Sequence, residues 1–597
     1  MKKFWPLDEV LAGFALALMA LIPIVEIVSR PVMGKGVENA PVLVQHLGLV
    51  MAMFGALAAE RYGHLTSLGA VFQGFIACAQ GAASLVSGVL VWASWQLVVS
   101  EWEGAQSLAY GLPMWWVQMA MPVGFALLGM KLAMRSTPLW RWQIFLGFLL
   151  PTAGFVLGWL GDGDALALWP MLLGLVLMLL CGAPIFAVLG GLALALFWQE
   201  GLPLASIALS HYQITVNPSL PALPLFTLAG LVFARTGAAQ RLGAVFLAMF
   251  GQGVSGSVLA ATVLCSVFTA FTGGSGVTIL ALGGLLLPLL RNAGYPEKKG
   301  ISLVTSASAL GVLLAPSVPL IMYAIIARVP INTMFLAGLI PAVVMVACLL
   351  VFGGYLRVSA TADPQNLPMS LPPSLSLSTA AWQAKWEILA PVVAIGSLVS
   401  GFATPTESAA LTAVYAVLTQ AFAHGELSGR LLGQCLSTCA QIIGGVMLIL
   451  GMALGLTNFL IDAGIPDLAI DWVQGITANK WVFLLALNVF LFFAGALMEI
   501  YAAIVVLVPL LLPLAMSYGI DPVHFGIIFL ANMEMGFLCP PAGMNLYFAS
   551  AVFGKSLREV ALSVLPALAA IFVGTVLISW LPIVATGLPA LVAAGWR

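Results

Sequence analysis

The 597-residue chain is 62% hydrophobic and only 7% charged, with a mean hydropathy of +1.10. Soluble globular chains carry roughly a quarter charged residues, so this composition excludes a protein whose main solvent is water. The 21 basic and 22 acidic side chains nearly cancel; net charge points to no partner, and no nucleic acid is expected.

Apolar runs recur from end to end: Val10–Ile24, Val42–Ala59, Met171–Leu180, Leu339–Phe352 and Val560–Ile578. A bilayer-crossing helix needs about 20 mostly apolar residues, which leaves room for on the order of 15 such segments. Closed barrels are the other structures that cross bilayers, but their alternating strands of ~10 residues do not resemble these continuous runs. The expected fold is an all-α polytopic membrane protein. At the N-terminus Asp8 and Glu9 interrupt the apolar run, and no small-x-small site precedes Arg30. The run therefore reads as a first membrane helix, not a signal peptide, with Lys2 and Lys3 in the cytoplasm.

Residues 1–135 hold four apolar segments, separated by loops bearing Arg30, Lys35 and Glu38, then Glu60 to His64, then Glu101, Trp102 and Glu103. After four crossings, Lys131, Arg135 and Arg141 return to the cytoplasmic side, as the positive-inside rule requires. Trp92, Trp95, Trp102, Trp115 and Trp116 suit interfacial belts. Residues 136–165 form a connecting helix ending in the polar turn Gly161–Asp164. Residues 166–597 form one large Gly- and Pro-rich domain, whose long polar interruption runs from Ala360 to about Ser378. The seven cysteines (78, 181, 265, 348, 435, 439 and 539) suggest neither a disulfide framework nor a metal site; Cys435 and Cys439 read as two small residues on one helix face.

The large domain repeats itself. Pro288 and Pro513, each after three leucines, stand 225 residues apart, and at that offset Gly294 matches Gly519, Gly311 matches Gly536, Pro316 matches Pro541 and Pro341 matches Pro566. Internal repeats mark secondary transporters, whose site lies at the repeat interface near the midplane. Both repeats place helix breakers where a crossing helix should be continuous. The first has Thr272, Gly273, Gly274 and Ser275, then Ala315 to Pro319; the second has Gly495 to Tyr501, then Cys539 to Asn545. Irregular backbone at membrane depth persists where it is buried in protein or lines a wet cavity. Its freed carbonyls can hold Na⁺, and half-helix N-termini favour an anion. Close helix packing is the competing explanation for each glycine taken singly.

Ionisable groups inside apolar segments are functional candidates by default. Glu499 lies at the second hairpin tip and is the first choice for a cation-linked carboxylate. Glu534 lies seven residues before Pro541, and pairing with an Arg or a backbone amide is the alternative to a functional role. Glu407, after Thr404, Pro405 and Thr406, has the pattern of a helix N-terminus.

At these residues the chain resembles the membrane component of tripartite ATP-independent periplasmic (TRAP) transporters, in the form that fuses the small Q and large M subunits. The large-subunit likeness spans about 166 to 590 and rests on Pro221–Gly230, Pro316–Pro319, Thr404–Ala410, Gly519–Gly526 and Pro540–Leu546. The small-subunit likeness over 1–135 rests on four helices and Glu60–His64. The resemblance implies an elevator-type transporter with two structural repeats, two re-entrant hairpins and two discontinuous helices in a bacterial inner membrane. It further implies Na⁺-coupled uptake of a small organic anion, carboxylate or sulfonate, delivered by a periplasmic solute-binding protein, with no cofactor and no enzymatic step. By the resemblance, one Na⁺ site uses Gly273, Gly274, Ser275, Gly311, Leu314 and Pro316, and another uses Met498, Glu499, Gly536, Cys539 and Gly543. Thr272, Ser275, Thr278, Ser317, Tyr501 and Asn545 are expected at the solute.

Three departures from the family pattern stand out: the first tip reads Gly-Gly-Ser without a following Asp, Glu499 replaces an Asp, and Cys539 replaces a Thr. Two rival functions are a stand-alone carrier of the same superfamily, and a membrane-embedded enzyme or scaffold. The enzyme would need convergent catalytic groups, whereas the five histidines are dispersed, with His211 and His524 near segment ends.

Overall fold

The computed structural model describes residues 6–33, 36–62, 65, 75–163, 167–251, 253–357, 376–540 and 543–595. Nearly all of them are helical; an isolated bridge pairs Ser107 with Pro113. Among the described residues, 13 helices are long and apolar enough to cross a membrane, or 14 if Ala222–Ala234 and Ala238–Phe250, bent by 75°, count as one span. The chain divides into two compact units, residues 1–225 with 433–468, and residues 226–432 with 469–597.

In the first unit, the ends of the N-terminal helices are joined by charge. Lys131 Nζ lies 2.7 Å from Asp8 Oδ2 and donates to the Leu57 carbonyl at 2.8 Å. Arg61 pairs with Asp8 at 2.9 Å and Arg135 with Glu60 at 2.6 Å. Asp8, Glu9 and Glu60 are buried, and carboxylates in apolar surroundings persist only when paired and hydrogen-bonded. These contacts put Asp8 and Lys131 at one end of the bundle; Lys2 and Lys3, expected on the same side, lie outside the described residues. Glu9 also accepts from Ser437 at 2.8 Å and from Tyr62 at 2.8 Å.

Small residues set the helix crossings. A Cβ at Gly55 would collide with the Ala440 carbonyl oxygen, and one at Gly444 with the Ala56 nitrogen. The helix Ala40–Arg61 therefore crosses Gly429–Asp462 backbone to backbone, as small residues permit in membranes. Cys435 and Cys439 are buried on that long helix, where the Cys439 thiol donates to the Pro224 carbonyl at 3.2 Å. The connecting helix Trp140–Gly161 packs on Ile76–Gly104 through Gly154 and Gly88. Its other face exposes Trp140, Trp142, Phe148 and Trp159, an apolar surface suited to lipid. The turn that ends it is anchored by Asp162, whose carboxylate accepts from Trp92 Nε1 at 3.1 Å, Gln96 Nε2 at 2.5 Å and the Leu204 amide at 3.1 Å.

In the second unit the 225-residue offset is a structural register. Val254–Thr272 corresponds to Lys480–Leu497, Ser275–Asn292 to Ile500–Ser517, Glu297–Leu310 to Pro522–Gly536, Val318–Ile326 to Met544–Phe553, and Ile331–Phe352 to Leu557–Trp580. Gly294 and Gly519 both turn the chain with positive φ, 79° and 68°, the conformation for which glycine is suited. Helix starts are built from local polar chemistry. Thr404 with Glu407 and Ser556 with Glu559 form capping boxes, and the Asp521 carboxylate accepts from the Val523 and His524 amides at 2.8 and 3.3 Å. Glu407 is thus a helix cap, the local alternative allowed by its sequence. A buried ladder joins three helices of the second repeat: Asn532 Nδ2 donates to Asn488 Oδ1 at 2.6 Å, and Ser579 Oγ donates to the same oxygen at 3.0 Å.

The Asp8–Lys131 pair gives the first prediction. Lys131→Met leaves Asp8 half-compensated and should cost about 1–3 kcal/mol, below the full cost of breaking a buried pair because Lys131 is partly exposed. Thermal unfolding of the detergent-solubilised chain should show that loss, and Asp8→Asn in the same background should recover part of it.

Candidate functional site

Each repeat begins with a helical hairpin whose two arms are separated by two residues. In the first, Gly273 ends Val254–Thr272 with φ 73° and Gly274 precedes Ser275–Asn292 in extended conformation. In the second, Met498 and Glu499 take extended conformations between Lys480–Leu497 and Ile500–Ser517. The arms of the first hairpin pack along each other, whereas those of the second touch little. The tips are chemically unlike although they occupy matched positions, because a positive φ favours Gly273 and an extended backbone accepts Met498 and Glu499.

Hydroxyls fasten the first tip. Thr269 Oγ1 donates to Thr278 Oγ1 at 2.7 Å, Thr272 Oγ1 lies 3.0 Å from the same atom, and both Thr272 and Thr278 reach the Gly274 carbonyl at 3.4 Å. Thr269 was absent from the residues expected at the site. Its spacing of three from Thr272, one face of a helix just before a double glycine, is the signal that would have found it.

The helix after each hairpin breaks. Glu297–Leu310 passes through the short turn Gly311–Leu313 before Val318–Ile326 resumes. The Gly311 carbonyl accepts from Leu314 N at 3.0 Å and the Leu314 carbonyl from Ser317 N at 3.1 Å. Ser317 bridges the break: its hydroxyl donates to the Val312 carbonyl and accepts from Leu320 N. Pro316 lies within this irregular stretch. In the second repeat the Gly536 carbonyl accepts from Cys539 N at 2.9 Å, and the Cys539 carbonyl accepts from Gly543 N at 2.8 Å. Pro541 and Ala542 lie outside the described residues. A carbonyl oxygen has two lone pairs, so one such hydrogen bond leaves capacity for a cation.

Both glycines of the matched pair also serve packing. A Cβ at Gly311 would collide with the Ser266 carbonyl, and one at Gly536 with the Gly495 backbone. Each break is thereby pressed against the first arm of its own hairpin. The Gly273 tip meets the start of the resumed helix, where an added Cβ would stand 2.7 Å from Val318 Cγ2. The two halves then exchange partners: Ser275–Asn292 packs on Met544–Phe553, and Ile500–Ser517 packs on Val318–Ile326.

This exchange gathers polar groups from both repeats. Tyr501 donates its hydroxyl hydrogen to the Gly273 carbonyl at 2.8 Å, joining the second hairpin to the first tip. Ser275 Oγ donates to Asn545 Oδ1 at 3.0 Å and stands near the Glu534 carboxyl. Ser275, Glu534 and Asn545 are 3%, 2% and 1% exposed. Among the described residues, Glu534 Oε2 and Asn545 Nδ2 have no hydrogen-bond partner. Glu499 stands half-buried at the start of Ile500–Ser517, without capping that helix through its side chain. The expected residues Ser275, Tyr501 and Asn545 are therefore brought together, with Gly273 contributing its carbonyl. Glu534, left open between roles by its sequence, belongs to the same cluster.

Comparison with known proteins places this geometry. A family model described as the DctM component of tripartite ATP-independent periplasmic transporters matches residues 172–584, and one described as the DctQ component matches residues 19–141. The chain is 32% identical to the C4-dicarboxylate TRAP transporter large permease protein DctM of Rhodobacter capsulatus, over 70% of this chain and 97% of that protein. It is 30% identical to the isethionate TRAP transporter permease protein DctMQ of Oleidesulfovibrio alaskensis, over 83% and 79%. It is 29% identical to the sialic acid TRAP transporter large permease protein SiaM of Vibrio cholerae, over 61% and 85%.

The threonine cluster makes the first tip testable apart from function. Thr278→Val removes the atom on which Thr269 and Thr272 converge, a change worth about 1–2 kcal/mol of local stability. Amide hydrogen exchange at residues 270–278 should accelerate roughly tenfold while exchange in Lys480–Leu497 stays unchanged.

Proposed function

Because the chain belongs to the tripartite ATP-independent periplasmic transporters, with DctQ- and DctM-type regions in one polypeptide, we propose that it is the permease for Na⁺-coupled secondary uptake of a small organic anion, a carboxylate or sulfonate, handed over by a periplasmic solute-binding protein. The protein is a multi-pass inner-membrane protein. The observation that carries the reading is the cluster of Ser275, Tyr501, Glu534 and Asn545, drawn from the two hairpin tips and the second helix break, with Ser275, Glu534 and Asn545 buried. Breaks of this kind let carbonyls meet a cation while half-helix N-termini face an anion.

In this reading residues 1–135 are a static buttress, residues 136–165 the connector, and residues 166–597 the transport and scaffold machinery. The hairpins and broken helices move together as an elevator. One Na⁺ is held by carbonyls around Gly273, Gly274, Ser275, Gly311, Leu314 and Pro316. A second is held around Met498, Gly536, Cys539 and Gly543, with Glu499 supplying charge. The tight turns at Gly536 and Cys539 present carbonyls in either case, so a thiol at position 539 does not remove the ligands. Ser275 and Asn545 meet the solute, and Thr272, Thr278, Ser317 and Tyr501 hold the surrounding backbone in place. The relatives named above are permeases, and no catalytic step is assigned.

The test is uptake of succinate, isethionate and N-acetylneuraminate into proteoliposomes carrying the full chain, with its cognate binding protein added outside. An inward Na⁺ gradient should drive accumulation of at least one of them, and only in the presence of the binding protein. Uptake indifferent to Na⁺ but abolished by collapsing a proton gradient would overturn the Na⁺ assignment; uptake without the binding protein would favour a stand-alone carrier. Glu499→Gln should raise the Na⁺ concentration for half-maximal uptake about tenfold, equivalent to about 1.4 kcal/mol. An unchanged Na⁺ curve would remove Glu499 from the coupling site.

A further inference from the structure

The polar cluster has an imbalance of donors and acceptors that bears on what it binds. Ser275 has one hydroxyl hydrogen, and both Asn545 Oδ1 and the Glu534 carboxyl stand near it. That hydrogen goes to Asn545 Oδ1 at 3.0 Å, and Glu534 Oε2 has no partner among the described residues. No Lys or Arg forms an ion pair with Glu534 among the described residues. The position is a costly one, since Glu534 is 2% exposed on a helix that is buried along its length. A buried acceptor of this kind is a specificity element: it favours a ligand that brings a donor and penalises one that does not.

Next to it, Asn545 Nδ2 is a buried donor without an acceptor. Donor and acceptor both stand near Ser275. An anionic oxygen suits the amide hydrogen. The same oxygen facing the Glu534 carboxyl would meet an acceptor, unless a hydrogen-bond donor on the solute stands between them. We propose that Glu534 is a specificity-determining residue that selects organic anions carrying a hydroxyl or ammonium group beside the acidic group: Asn545 donates to the anion and Glu534 accepts from the neighbouring O–H or N–H. The inference rests on the reading of this cluster as the solute site and names the class of solute within it.

The probes are two matched pairs, isethionate against ethanesulfonate and malate against succinate, each differing by one hydroxyl. Binding is read as the rise in melting temperature of the purified full chain in detergent at saturating Na⁺. This measures the membrane protein apart from the selectivity of any binding protein. In the wild type the hydroxylated member of a pair should bind at least about tenfold more tightly than its partner. Glu534→Gln should reduce that preference to within about twofold, by weakening the hydroxylated member alone. Asn545→Ala should weaken both members by a similar factor and keep the preference; it also reports on the site should Glu534→Gln fold poorly.

Equal binding of both members by the wild type would overturn the proposal, and so would a preference that survives Glu534→Gln. A Glu534→Gln protein with a shifted Na⁺ half-saturation and an unchanged solute preference would make Glu534 a cation ligand instead. Binding of none of the four anions would overturn both this inference and the assignment of the cluster to an organic anion, whereas failure of Na⁺ to drive uptake, with the hydroxyl preference intact, would strike the coupling alone.

Discussion

Backbone polar groups at membrane depth need partners, and the second unit depends on how two interrupted helices find them. At Gly311–Ser317 and at Gly536–Gly543 the amides close short turns on carbonyls a few residues back. Those turns leave carbonyl lone pairs over, and they hold the chain away from the helix axis. Side chains complete the accounting: Ser317 bridges the first break, and Tyr501 satisfies the carbonyl of Gly273. The same residues that make a non-helical backbone tolerable in hydrocarbon also fix the walls of the polar cluster.

Symmetry then does two different things. The matched helices give each broken segment the same neighbours, the first arm of its own hairpin and the second arm of the other. At the tips the match ends, with Gly273 and Gly274 against Met498 and Glu499, and with Ser275 opposite Ile500 at the head of the following arm. The scaffold is therefore duplicated, while the polar chemistry is divided: the first repeat supplies the hydroxyl and a carbonyl, the second the amide, the carboxyl and the phenol.

Much of this was legible in the sequence because membranes impose a strict grammar. Helix breakers in apolar runs are costly, so Gly311, Gly536, Pro288 and Pro513 advertised the register at an offset of 225. The charges at Asp8 and Lys131 were visible too, but their pairing appears only in the fold. What the residues alone left open depends on distances across the fold. Gly311 and Gly536 suit a break or a close crossing equally well, and the structure has them serve both. Glu407 and Glu534 look alike as isolated acids in apolar sequence, yet one closes a capping box and the other faces Ser275. The local run Thr404-Pro405-Thr406 marks the first as a cap, whereas the second is placed by a residue 259 positions away in the chain, which no local pattern announces.

The connector between the two regions has a consequence in the arithmetic of crossings. Four spans, Leu7–Arg30, Ala40–Arg61, Ile76–Gly104 and Met114–Arg135, are an even number and return the chain to the face where it began. Joined directly, the following domain would start on that face. The single extra span Trp140–Gly161 changes the parity, and Asp162, held by Trp92 and Gln96, receives the chain on the opposite face. Counted by length and composition, five spans precede residue 163, an odd number, and losing the span of the connector would restore the even count.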